Sequence, residues 1–196
     1  MKIFTCKSNI LIIIIFVLNL IIFDLSAQQI VLGTINDTAA KAQTNVIPGV
    51  ELIEYVGNTS SSKGAITGIV YKLNNSKHKP TKVIKPHLYR VSGKTVGEEL
   101  LPTNVSPVNV TSKGKRITLQ VDISKYNIEL PPDGVFIGIE YIGTNPADKK
   151  KVHPLTVWRN EFNTSSLSYS KYNNVFDKDS LTFSRGFCFG IQIKSE

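Results

Sequence analysis

The chain has 196 residues, with 23 Lys and Arg against 15 Asp and Glu, a formal net charge of +8. That length suits one domain. The basic surplus lies in three separate runs, 77–85, 113–116 and 149–151, mostly beside turn residues, and not in the concentrated, aromatic-interleaved patch of a nucleic-acid binder. Solvated loop charge fits this distribution best; contact with an acidic glycan or a membrane surface is the alternative.

The chain opens as a secretory signal peptide. Lys2 and Lys7 give a basic start, residues 10–23 are apolar apart from Asn19, and Asp24-Leu25-Ser26-Ala27 ends on small residues. Charge, apolar stretch and small-residue site together predict cleavage after Ala27 and export. An uncleaved anchor is the competing reading, but the apolar run falls short of the roughly 20 residues that span a bilayer. Cys6 precedes the run, which argues against a lipoprotein. Removing residues 1–27 takes away two lysines and one aspartate, leaving 169 residues with 21 basic and 14 acidic groups, a net charge of +7. The remaining cysteine, Cys188, has no partner for an internal disulfide, although export would permit one. It sits between Phe187 and Phe189 and reads as a packed thiol.

Residues 28–45 are polar and rich in Ala and Thr, and are read as a flexible lead-in or an edge strand before a single domain at 46–196. Strand signals then dominate. Candidates fall at 50–56, 65–73, 83–91, 115–123, 135–142, 152–158 and 181–193, separated by turn formers such as Gly57-Asn58-Thr59-Ser60 and Pro131-Pro132-Asp133-Gly134. In 115–123, Ile117, Leu119, Val121 and Ile123 share one face, opposite Arg116, Thr118, Gln120 and Asp122. In 135–142 both faces carry apolar residues, as a central strand does. In 181–193, Leu181, Phe183, Phe187, Phe189, Ile191 and Ile193 share a face. The small residues opposite them predict close approach of a neighbouring layer or a bend. No stretch of 12 or more residues carries a helical period. The expectation is an all-β, antiparallel, jelly-roll-like sandwich.

The order of these pieces resembles a group of exported, largely uncharacterised Gram-negative β-sandwich proteins that often follow a carboxypeptidase-regulatory-like domain. The similar residues are Pro48-Gly49-Val50-Glu51-Leu52-Ile53-Glu54-Tyr55, then Ile66-Thr67-Gly68-Ile69-Val70-Tyr71-Lys72-Leu73, then His87-Leu88-Tyr89-Arg90-Val91 with Gly97-Glu98-Glu99-Leu100-Leu101. The fullest likeness is Val121-Asp122-Ile123-Ser124-Lys125-Tyr126-Asn127-Ile128-Glu129-Leu130-Pro131 running into Gly134-Val135-Phe136-Ile137-Gly138-Ile139-Glu140-Tyr141. The resemblance implies a β-sandwich and an exported location, and carries over no catalytic residues. The chain departs from the group's usual arrangement in leaving no room for a separate preceding domain.

Few residues suggest chemistry. His78, His87 and His153 are too far apart for paired zinc ligands on one element. There is no Gly-x-Ser-x-Gly and no phosphate-cradling glycine loop. Asp133, Asp148 and Asp177-Lys178-Asp179-Ser180 lack the dense oxygen ligands calcium needs. Asp122 and Glu140, each polar among apolar strand residues, are the candidate acid/base pair. The structural accounts are a turn cap for Asp122 and a cross-strand Lys or Arg for Glu140. No metal or cofactor is expected. The binding candidates are Trp158, Arg159, Tyr169 and Tyr172, with Phe162 and Asn160 nearby, because sugar rings stack on amphipathic aromatics. Asn-x-Ser/Thr sequons at Asn36, Asn58, Asn74, Asn104, Asn109 and Asn163 carry little weight in a bacterial chain. These features favour a non-enzymatic envelope module that binds a glycan or protein. A small hydrolase acting on envelope polymer and an adhesion or assembly subunit are the alternatives.

Overall fold

The computed structural model describes residues 29–35, 40–75, 80–145, 153–160, 167–172, 175–177 and 186–195. The expected signal peptide, Phe162, Asp148, Leu181 and Phe183 lie outside them. The described chain runs through β1 (Gln29–Gly33), β2 (Ala40–Val46), β3 (Val50–Val56), β4 (Gly64–Asn75), β5 (Lys82–Ser92), β6 (Thr95–Glu99) and β7 (Val108–Val110). It continues through β8 (Gly114–Asp122), a 3-10 turn (Ser124–Tyr126), β9 (Ile128–Glu129), β10 (Val135–Thr144), β11 (Leu155–Asn160), β12 (Ser168–Tyr172), β13 (Val175–Asp177) and β14 (Phe189–Ser195). The fold is an all-β, antiparallel sandwich of two sheets.

The first sheet is organised around β4, the longest strand. β8 lines one side of it, pairing Tyr71 with Leu119 and Leu73 with Ile117. The other side is shared end to end: β14 takes Tyr71 through Phe189, and β11 takes Leu73 through Val157. β1 then lies outside β14 and β2 outside β11. The polar lead-in therefore forms two successive edge strands of this sheet. In the second sheet the order is β13-β12-β3-β10-β5-β6, with β7 beside the start of β5. Its centre is β10, the strand whose sequence is apolar on both faces.

The core lies between the sheets. Phe187, Phe189, Ile191 and Ile193, read as one face from sequence, are fully buried. They join one cluster with Ile84, Leu88, Ile137, Ile139 and Tyr141 of the second sheet. Ile117, Val121 and Ile123 face the same core, whereas Arg116, Thr118, Gln120 and Asp122 are exposed. In β4 a bulge skips Thr67, pairing Gly68 with Gln192 but Ile66 with Ile193. That one-residue insertion keeps Ile66 on the inner face with Ile69, Tyr71 and Leu73. Cys188, on the other face from Phe187 and Phe189, is buried with Ala40 and Trp158.

Two buried polar groups tie the sheets together. The Tyr71 hydroxyl donates to the Gly138 carbonyl at 2.8 Å while its ring meets Phe189 edge-on at 5.0 Å. Glu54 Oε2 accepts from the Phe187 amide at 3.0 Å and from the Ser168 hydroxyl. Hydrogen bonding offsets much of the cost of burying such groups. Gly190 lies against the end of β1 and the residue just past it: an added Cβ would meet the Leu32 carbonyl at 2.7 Å and Ile35 at 2.9 Å. The close approach expected from the small residues of this strand is that contact.

Candidate functional site

The strongest polar constellation lies on the outer face of the second sheet. Strand pleating puts alternate residues on that face, and the register fixes their rows. Tyr55, Phe136 and Tyr89 form one row across β3, β10 and β5. Ile53, Gly138 and His87 form the next, and Glu51, Glu140 and Lys85 the third. β12 extends the second row with Tyr169 and the third with Lys171.

The first rows are aromatic. Phe136 packs against Tyr55 at 5.3 Å and edge-on against Tyr169 at 5.6 Å. The phenol groups are anchored outward, Tyr55 to the Asp133 carbonyl and Tyr169 to the Lys94 carbonyl, each at 2.8 Å. Beside Tyr55 a depression of about 420 Å³ is bordered by Val91, Lys94, Asp133 and Leu167.

The third row, together with His87 of the second, is ionic. His87, 5% exposed, is held at both ring nitrogens: Nδ1 lies 2.6 Å from Glu99 Oε1 and Nε2 3.2 Å from Glu140 Oε2. A carboxylate only accepts, so the geometry fits an imidazolium donating both protons. Its ring stacks parallel to Tyr89 at 5.8 Å. Burial works to lower the His87 pKa, but the bonds to Glu99 and Glu140 and the charges of Glu51 and Glu99 outweigh it and raise the pKa.

Glu51, 4% exposed, accepts the Tyr89 hydroxyl at 2.8 Å through Oε1, and Lys171 Nζ stands 3.6 Å from Oε2. Burial pushes its carboxyl above the usual range, with Glu140 adding to the effect and His87, Tyr89 and Lys171 opposing it. Burial likewise raises the Tyr89 phenol, as does the neighbouring Glu51, so Tyr89 stays a donor. Together Glu51, Lys85, His87, Glu99, Glu140 and Lys171 line an open pocket of about 190 Å³.

Glycine at 138 makes room for the Glu51 carboxylate that borders this pocket. An added Cβ would fall 2.1 Å from Glu51 Oε1 and 2.9 Å from His87 Cβ. Gly138→Ala should therefore displace both side chains and cost about 1–3 kcal/mol. Guanidinium unfolding checks this, and an unchanged midpoint would show that the site does not depend on the missing side chain.

The residues singled out from sequence fall in different places. Asp122 is exposed on β8, in the first sheet, and accepts the Ser124 amide at 2.9 Å, the turn cap read as its structural role. The Ser124 hydroxyl and then its amide, both hydrogen-bonded to the carboxylate, lower the Asp122 pKa. Glu140 is in the other sheet, so the two do not form an acid/base pair. Glu140 is in register with Lys85 across the strands, but its hydrogen bond goes to His87.

Trp158 and Arg159 lie in the first sheet, Tyr169 and Tyr172 in the second. Trp158 is buried, its indole N–H bonded to the Lys115 carbonyl at 3.0 Å and its ring under Arg116. Arg159 lies over the Phe187 ring. Tyr172 is exposed near Gly49. The four make no common platform, and only Tyr169 joins the aromatic rows. Glu51, Glu99 and Lys171 were missed. The readable signal was polar residues at outward positions of otherwise apolar strands, as in Val50-Glu51-Leu52-Ile53-Glu54-Tyr55-Val56.

Among the described residues no three His, Cys, Asp or Glu side chains are arranged to hold a metal ion, and no helix is long and apolar enough to cross a membrane. No family model, curated protein or solved structure matches the chain.

Proposed function

We propose that this protein is an exported module of the bacterial cell envelope that binds a saccharide on the outer face of its second sheet. The observation that carries the reading is the contiguity of two surfaces on one face. Tyr55 and Tyr169, part-exposed and packed over the buried Phe136, offer apolar ring faces to sugar C–H groups. The Glu140, Lys85 and Glu99 groups beside them offer acceptors and a donor to hydroxyls. Export follows from the signal-peptide layout of residues 1–27, and the bacterial source from the resemblance in strand order.

A glycan array followed by calorimetry on the hits tests the site. Glu140→Ala removes a charged acceptor and should weaken binding about 10- to 100-fold, in line with the roughly 1.5–3 kcal/mol of such hydrogen bonds. Trp158→Phe, in the other sheet, should leave affinity unchanged. Absence of any glycan hit, or loss of binding in Trp158→Phe but not Glu140→Ala, would refute the reading.

A further inference from the structure

We propose that the pocket lined by Glu51, His87 and Glu140 also cleaves a glycosidic bond, with Glu140 as nucleophile and Glu51 as proton donor; this rests on the saccharide reading above. Glu51 and Glu140 are direct cross-strand partners on one face. Opposed residues have Cβ atoms about 5 Å apart, which brings both carboxyl groups into one pocket, and retaining glycosidases work with a close pair of carboxyl groups. Both side chains also lean toward the space that Gly138 leaves open. Glu51 Oε1 reaches where its Cβ would be, and Glu140 Oε2 reaches His87, the residue in register with Gly138.

A purely structural staple does not require this pair. His87 between Glu99 and Glu140 already joins β5, β6 and β10. Placing Glu51 opposite Glu140 disfavours ionising both, because like charges directly opposed on a sheet repel. The two carboxyls also have different surroundings, the usual basis for separate acid and nucleophile roles. Glu51 is enclosed, which favours its protonated form, although the Tyr89 hydroxyl and Lys171 oppose this. Glu140 is about one-third exposed and bonded to an imidazole.

The chemistry balances over two steps. A Glu140 oxygen bonds to the anomeric carbon as the bond from that carbon to the leaving oxygen breaks, and the leaving oxygen takes the Glu51 proton. A water then gives a proton to Glu51 and bonds to the anomeric carbon as the Glu140 ester bond breaks, restoring both groups. Lys171, 3.6 Å from Glu51 Oε2, supports the ionised Glu51 that the second step needs. His87 and Tyr89 are positioning residues: they hold the carboxyl groups and do not touch the reacting atoms.

The test uses 2,4-dinitrophenyl 2-deoxy-2-fluoro-β-glycosides of gluco, galacto, manno and xylo configuration, with intact-mass detection and peptide mapping. The expected result is one glycosyl adduct on Glu140, absent in Glu140→Gln. Glu51→Gln should form the adduct at an undiminished rate, because dinitrophenolate leaves without a proton. It should release the adduct about 100-fold more slowly, the scale of general-base assistance. Misfolding would abolish both steps and cannot give that split. An adduct elsewhere, equal loss of both steps in Glu51→Gln, or no adduct from any probe while array binding persists would overturn the activity alone. Loss of array binding would overturn the saccharide reading with it.

Discussion

Phe189→Ala should destabilise the protein by about 3–5 kcal/mol, the range for deleting a buried phenyl ring. Phe189 is fully buried. It lies at the middle of the core, edge-on to Tyr71 at 5.0 Å and stacked with Phe187 at 5.5 Å. Its strand is paired on both sides, to β1 and to β4, so the backbone has little freedom to close the cavity. Single domains hold about 5–15 kcal/mol in total, and in the described residues no disulfide adds to that. The loss should appear as a much lower guanidinium midpoint with an unchanged slope. A cost under about 1 kcal/mol would show that this ring is not part of the inter-sheet core.

The second large effect is His87→Gln, expected to cost about 2–3 kcal/mol at pH 6 and about 1 kcal/mol at pH 9. At pH 6 the imidazolium gives charged hydrogen bonds to two carboxylates. Such bonds contribute roughly 1.5–3 kcal/mol each when buried. The partners here are about 30% exposed, so the pair is set below the sum. The folded-state pKa of His87 is raised. Its contribution is therefore complete below the unfolded value of about 6.5 and fades as pH climbs through the folded value. Glu51, also raised, acts in the same direction: its ionisation above the unfolded value of about 4.3 reduces stability as pH rises through its folded value. Because His87 also lowers the Glu51 pKa, the difference between the two proteins reports His87 together with its coupling to Glu51. Denaturant titrations at the two pH values measure it, and an equal cost at both would mean that His87 is neutral throughout.

The strands with a burial pattern were legible and those without one were not. β8 reads cleanly because one face meets the core and the other meets water. β3, β5 and β10 read as strands because β-branched and aromatic residues recur in them. β6, β7, β12 and β13 are three to five residues long, too short for a period to rise above composition. The β1–β2 edge is held by backbone pairing to β14 and β11, which leaves no mark on side-chain type. The site was legible only in part, for a related reason. Glu140 stood out as polar in an apolar strand, but its neighbours are set by register. Sequence could not say that Glu51 lies opposite it, or that Asp122 belongs to the other sheet. Trp158 looked like a binding residue because an indole suits both roles; its buried N–H partner, the Lys115 carbonyl, comes from a distant strand.

The position of β14 constrains the order of assembly. It follows every other described strand along the chain, yet it lies inside its sheet, between β1 and β4. Until residues 189–195 arrive, β1 has no neighbour among the described strands, and the core lacks Phe189, Ile191 and Ile193. A chain growing from its N-terminus therefore cannot close its first sheet early, and long-range pairing of this kind is intrinsically slow. The β1 edge and the inter-sheet core stay open in the nascent chain until residues 189–195 are available.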